Sequence, residues 1–210
     1  LFAAYAPSLS AYPYGIAPTD ANPQDVHRQY DVFMAKNFRN DGTAGGSLRP
    51  SYVTSEFMGY GMVFAAALDK EDDFHKMWKY TTHFIQRNIQ QTGRHNFPWL
   101  IKGNSIAGPA SAMDGCIEIV FAMDLADSKW PGKGYGEASK EYILKLLTRF
   151  YGDHRFWHPD SNHMLAKVDP GKQGYHLNYM SFAWLPRMSA RSGDPRFAGP
   201  VREAWYKLTE

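Results

Sequence analysis

Two carboxylates stand out by where they fall. Ser55-Glu56 opens a run, Glu56 to Leu68, that is apolar or small on nearly every face, with Met58, Met62, Val63, Phe64 and three consecutive alanines. Asp114-Gly115 opens a similar run, Asp114 to Leu125. A carboxylate at a helix start is favoured electrostatically and can cap free N–H groups, and for a lone Glu or Asp capping is the simpler reading. Two of them at corresponding ends of adjacent helices would face one cleft, and paired carboxylates flanking a glycosidic bond are what glycoside hydrolysis needs. A general acid at such a helix start would meet two opposed demands. A helix N-terminus stabilises the ionised form, whereas a general acid must hold its proton near neutral pH. Burial beside Phe57, Met58, Tyr60 and the like-charged Asp114 would favour the proton. The chemistry therefore requires Glu56 to project inward.

The elements that must position these acids are helices of two kinds. Glu56 to Leu68, Asp114 to Leu125 and, less purely, His176 to Met188 are apolar on most faces and must be buried. Asp72 to Asn88 carries Phe74, Met77, Trp78, Thr81 and Ile85 on one stripe, and Glu137 to Phe150 and Pro195 to Leu208 are striped in the same way. Ahead of them, Asn22-Pro23 reads as an N-cap and first turn, with Val26, Tyr30, Phe33, Met34 and Phe38 at helical spacing. Asn40 to Ser47 is a glycine-rich loop, and only Met164 to Val168 looks extended. Inner and outer helices alternate about every sixty residues. That alternation predicts an all-α ring of helical hairpins, an α/α toroid, over a single domain spanning residues 1–210. A plain helical bundle explains the stripes but not the alternation.

A net charge of +2 points to neither nucleic acid nor an acidic membrane surface. Six Trp and thirteen Tyr suit stacking on sugar rings as well as core packing. The single Cys116 excludes an internal disulfide and has no catalytic His at a telling spacing. His154, His158 and His163 cluster near Trp157, but nothing completes a metal set, and no metal or cofactor is expected. Gly132 to Gly136 lacks the preceding strand of a phosphate cradle. The small apolar stretch Leu1 to Pro7 suits the remnant of a signal-peptide cleavage region, so a secreted protein, extracellular or periplasmic, is expected. No run is long enough for a membrane span.

Ser55-Glu56-Phe57-Met58-Gly59-Tyr60-Gly61-Met62 resembles the Ser-Glu-Gly-Met-Gly-Tyr-Gly-Met segment of glycoside hydrolase family 8. Ala112-Met113-Asp114-Gly115-Cys116, running on to Trp130, resembles that family's second signature. Gly108-Pro109-Ala110 and Tyr175-His176-Leu177 are more similar to its xylan-cutting branch. Tyr12 to Gly15 and Ser192 to Phe197 also resemble family segments, so the similarity runs from about residue 12 to the end. The resemblance implies an (α/α)6 barrel and inverting hydrolysis of β-1,4-linked cellulose, mixed-linkage glucan, xylan or chitosan. It implies Glu56 as general acid and Asp114 as the residue that holds and distorts the sugar. Trp99 matches a cleft-lining aromatic. Tyr175 or Tyr179, in either of two registers, should sit near the reacting sugar, and Tyr60 joins them as an expected sugar-binding residue.

Three departures qualify this. Phe57 replaces a glycine beside the acid. Cys116 replaces the second acidic position, which could change sugar contacts. The family's catalytic base lies in a later segment, beyond residue 210, and Asp160, Asp169 and Asp194 are more simply turn or cap residues. The expectation is an incomplete N-terminal portion of the toroid: a fragment, a cleaved product, or a piece completed by a second chain. Two other functions fit parts of the sequence. A non-catalytic sugar-binding or scaffold protein on the same fold would need no base. A polysaccharide lyase on an α/α toroid would need a Tyr, His or Arg set and would have no use for Glu56.

Overall fold

The computed structural model describes residues 22–39, 52–110, 112–153 and 185–194. Six helices and three short strands follow in the order α1 (Pro23–Asn37), β1 (Tyr52–Thr54), α2 (Ser55–Ala67), α3 (Glu71–Thr92), β2 (Leu100–Lys102), β3 (Ser105–Gly108), α4 (Met113–Lys129), α5 (Tyr135–Asp153) and α6 (Leu185–Ser192).

Local chemistry sets the helix ends. The Gln24 amide donates to Asn22 Oδ1 at 3.0 Å with Pro23 in the first turn, as the Asn-Pro pair predicts. Phe38 stands in extended backbone just past α1, so the stripe continues beyond the helix that began it. Thr54, not Ser55, caps α2: the Phe57 amide donates to its hydroxyl oxygen at 3.3 Å. α3 begins with Glu71, Asp72 and Asp73 in its first turn and stops at Gly93, whose φ of 69° is one an L side chain rarely adopts. It runs past the expected Asn88, as α4 and α5 run past theirs, because amphipathic spacing fades before the backbone bonds do.

The sheet corrects the expectation that strand signals are negligible. β1, β2 and β3 pair antiparallel in that order, with Val53 opposite Ile101 and Lys102 opposite Ser105. Gly103, at φ 55°, makes the two-residue turn with Asn104. A Gly-Asn pair between Ile101 and Ile106 is a recognised hairpin signal. Strands of three or four residues are simply too short for a period of two to stand out. Met164 to Val168 lies outside the described residues.

The core forms where α2 crosses α4. Met58, Met62, Ala65 and Ala66 of α2 meet Ile117, Ile119 and Met123 of α4, while α3 adds Phe74, Met77 and Phe84 and α5 adds Ile143. Burying each such side chain is worth about 1.5–3 kcal/mol. The crossing is tight because glycines form it. A Cβ on Gly59 would lie 2.6 Å from Glu118 Cβ, and one on Gly115 would lie 2.4 Å from the Glu56 amide nitrogen.

The inner–outer distinction holds for α4 but not fully for α2. Cys116, Ile117, Ile119, Val120, Ala122, Met123 and Ala126 are all buried on α4. On α2, Tyr60 and Phe64 are 48% and 44% exposed, because none of the described elements covers that flank. α6 is the described part of the third predicted inner helix, and it is not apolar all round. Arg187 and Arg191 reach Asp124 of α4 at 2.7 Å each, and Arg191 also reaches Asp127 at 3.0 Å. This charged clip, with Asp124 only 8% exposed, fastens α6 to α4.

Candidate active site

The starts of α2 and α4 abut, so their first-turn acids share one end of the molecule. The contact between the Gly115 α-carbon and the Ser55–Glu56 backbone makes that juxtaposition obligatory. Glu56 is half-buried in the first turn of α2. Asp114 is 7% exposed, and its Oδ1 accepts from the Gly115 amide at 2.9 Å. One turn further along each helix come Tyr60 and Glu118, and the Tyr60 hydroxyl lies beside the Glu118 carboxyl. Two i, i+4 pairs, one from each helix, therefore face each other across the crossing.

Glu118 is the residue that sequence reasoning missed. Burial is the main force on its carboxyl, with the nearby Tyr60 hydroxyl opposing and the charges of Asp114 and Glu56 adding to burial; its pKa is pushed up to about 8. The Glu118 charge, then burial, raises the Tyr60 phenol above its ordinary value, with smaller help from Asp114 and Glu56. Both groups thus feel both expected catalytic acids. The signal for Glu118 was available: it is the one carboxylate in the apolar stretch Cys116 to Met123, four positions after Asp114.

Trp99 is delivered to the same end by the sheet. Its carbonyl accepts from the Ser55 amide at 3.3 Å, directly before Glu56, and its own amide donates to the Ala110 carbonyl at 2.9 Å. Two buried asparagines shape this segment. Asn88 Nδ2 donates to the Asn96 and Pro109 carbonyls at 2.9 and 3.0 Å, and Asn96 Nδ2 donates to Pro109 at 3.1 Å. Phe97 is fully buried, while Trp99 is 42% exposed. The indole lies over Gly108, where an added Cβ would come within 2.1 Å of its Nε1.

Two departures resolve in structural terms. The Phe57 ring is directed to α1, stacking on Phe38 with centroids 5.1 Å apart. Cys116 turns into the core as a packing thiol and not toward the site. Its thiol is fully buried, the Tyr142 hydroxyl donates to its sulfur at 3.7 Å, and burial pushes its pKa up to about 12. The helix turns position 116 inward, away from Asp114 and Glu118. Asp194 follows α6 and Gly193, its carbonyl accepting from the Ser189 hydroxyl at 3.2 Å. Tyr175, Tyr179, Asp160, Asp169 and the His154, His158 and His163 cluster lie outside the described residues. Among the described residues, no group of three or more His, Cys, Asp or Glu side chains is placed to hold a metal ion, and no helix is long and apolar enough to cross a membrane.

Comparison with known proteins bears on the family and the fold. The sequence pattern of the family described as glycosyl hydrolases family 8 matches residues 27–151. A probable endoglucanase of Novacetimonas hansenii is 30% identical over 64% of this chain and 40% of its own length. Endoglucanase A of Acetivibrio thermocellus is 26% identical over 99% of this chain and 45% of its own. The chain thus spans less than half the length of these curated relatives. The apo structure of a β-1,3-1,4-glucanase from Paenibacillus sp. X4 superposes with a TM-score of 0.73 at 18% identity, covering 91% of this chain and 53% of that one. The helices therefore take the arrangement of an (α/α)6 toroid, of which this chain carries a part.

Proposed function

We propose a role in cutting polysaccharide from the premise that this chain belongs to glycosyl hydrolases family 8. The reaction is hydrolysis of β-1,4-glycosidic bonds in cellulose, mixed-linkage glucan, xylan or chitosan, with inversion at the anomeric carbon. Glu56 donates its proton to the leaving oxygen as the bond to the anomeric carbon breaks. Asp114 holds the sugar at that point, and Trp99 and Tyr60 offer ring faces for neighbouring sugars. Tyr175 and Tyr179 remain part of the proposed sugar-binding set. A base takes a proton from the water whose oxygen bonds to the opposite face of the anomeric carbon. That base is proposed to come from outside the described residues, on this chain or a second one. A polymer substrate fits a secreted enzyme, and secretion is part of the proposal.

The observation that carries this reading is the glycine-tight abutment of the α2 and α4 starts. It puts Glu56, Asp114, Tyr60 and the Trp99 backbone at one end of the molecule. The test is a reducing-sugar assay on the four polymers with wild-type chain and Glu56→Gln. General-acid help is worth about 10²–10⁴-fold, so the substitution should remove most of the rate. An unaltered rate in Glu56→Gln would sink the assignment.

One observation favours a second reading, non-catalytic sugar binding: Cys116 stands where the family has a second acid. Saturable oligosaccharide binding with no hydrolysis of any of the four polymers would select it.

A further inference from the structure

One acidic side chain at the crossing has no part in the reaction just described. Glu118 lies against Gly59, where a built Cβ would fall 2.6 Å from Glu118 Cβ and 3.1 Å from its Oε2. The Gly59 backbone packs against one side of this half-buried side chain. The Tyr60 hydroxyl lies beside the carboxyl, and Oε2 is buried with no hydrogen-bond partner. Ionised, Glu118 would leave that oxygen charged, dry and unpaired, with Glu56 and Asp114 close by. Desolvation and like charge both oppose this.

We propose that Glu118 is a positioning residue: a neutral carboxylic acid wedged in the α2–α4 crossing, which packs beside Tyr60 at the site and adds no further charge next to Asp114. The functional half of this inference rests on the glycosidase reading above. The groups that bear on Glu118 are Glu56 and Tyr60 from α2 and Asp114 from its own helix, and burial outweighs each of them. The Tyr60 ring beside it is exposed and stacks on Phe64, centroids 6.4 Å apart.

The sign of the pH dependence follows. The folded carboxyl titrates at about 8, above the ordinary 4.5. The folded state therefore holds a proton that the unfolded state releases, and this share of stability is complete below the lower value and lost as pH rises through the higher. Glu118→Gln keeps the shape of the neutral acid and cannot ionise.

Infrared spectra of the wild-type chain minus Glu118→Gln should show a protonated carboxyl band at neutral pH that fades with a midpoint near 8. Between those two pH values the wild-type melting temperature should fall relative to that of the variant. Where hydrolysis is measured, Glu118→Gln should stay within about threefold of wild type at mildly acidic pH and decline less than wild type as pH rises through about 8. Absence of the band at neutral pH overturns the proposal, and so does a loss at acidic pH as large as that of Glu56→Gln. If no hydrolysis is found in wild type, the glycosidase reading fails by itself, and the infrared and melting measurements still decide whether Glu118 is the neutral acid.

Discussion

The two flanks of α2 are built to different tolerances. Toward α4, Gly59 and Gly115 bring the backbones so close that no Cβ fits, and Glu56, Asp114 and Glu118 gather at that seam. Toward α1, the same helix borders an open apolar groove of about 500 Å³ lined by Val26, Tyr30, Phe33, Phe64 and Leu68. One flank packs backbone against backbone, whereas the other meets its neighbour through aromatic rings. The contrast ties close packing in this helix to the place where acids must be held at set positions. A rotation of α2 on its seam would carry Glu56 away from Asp114, whereas the groove could absorb one.

The largest expected effect comes from breaking the seam. Gly115→Ala places a methyl group against backbone and a fully buried serine, neither of which can yield easily. It should cost about 3 kcal/mol in urea denaturation, the upper part of the range for overpacking. Gly61→Ala is the control. Its new methyl would meet only the Met77 sulfur and the Phe38 ring edge, both at 2.9 Å and on side chains that can shift. Equal losses for the two variants would mean that the seam is no more rigid than the rest of α2.

A middle-sized effect tests the strand-borne aromatic beside the seam. Trp99→Ala should weaken oligosaccharide binding by about 1 kcal/mol with little change in the unfolding midpoint, because the ring is 42% exposed. A large shift in unfolding with unaltered binding would make Trp99 a packing residue.

The smallest effect is expected on the loose flank. Phe64→Ser removes a ring that meets Phe33 edge-on at a centroid distance of 5.7 Å and is 44% exposed. It should cost about 0.5–1 kcal/mol in the same denaturation experiment. A loss of several kcal/mol would show that the groove is covered in solution, and the comparison between flanks would then fail.

The amino-acid sequence alone determined the helices and the two acids at their starts. Their signals are local: a 3.6-residue stripe, an Asn-Pro cap and a carboxylate ahead of an apolar run are each written within a few neighbouring residues. The motif around Glu56 carried the family for the same reason. Tertiary structure decided what depends on residues far apart in the chain. The small sheet closes only when Thr54 meets Leu100, and Trp99 reaches the site only because Asn88, Asn96 and Pro109 fasten its segment. Cys116 and Glu118 differ by two positions on one helix, yet one turns into the core toward Tyr142 and the other toward Tyr60. The difference is an angle of rotation about α4, and that angle is set by Gly59 and Gly115, whose missing side chains have meaning only once the two helices are in contact.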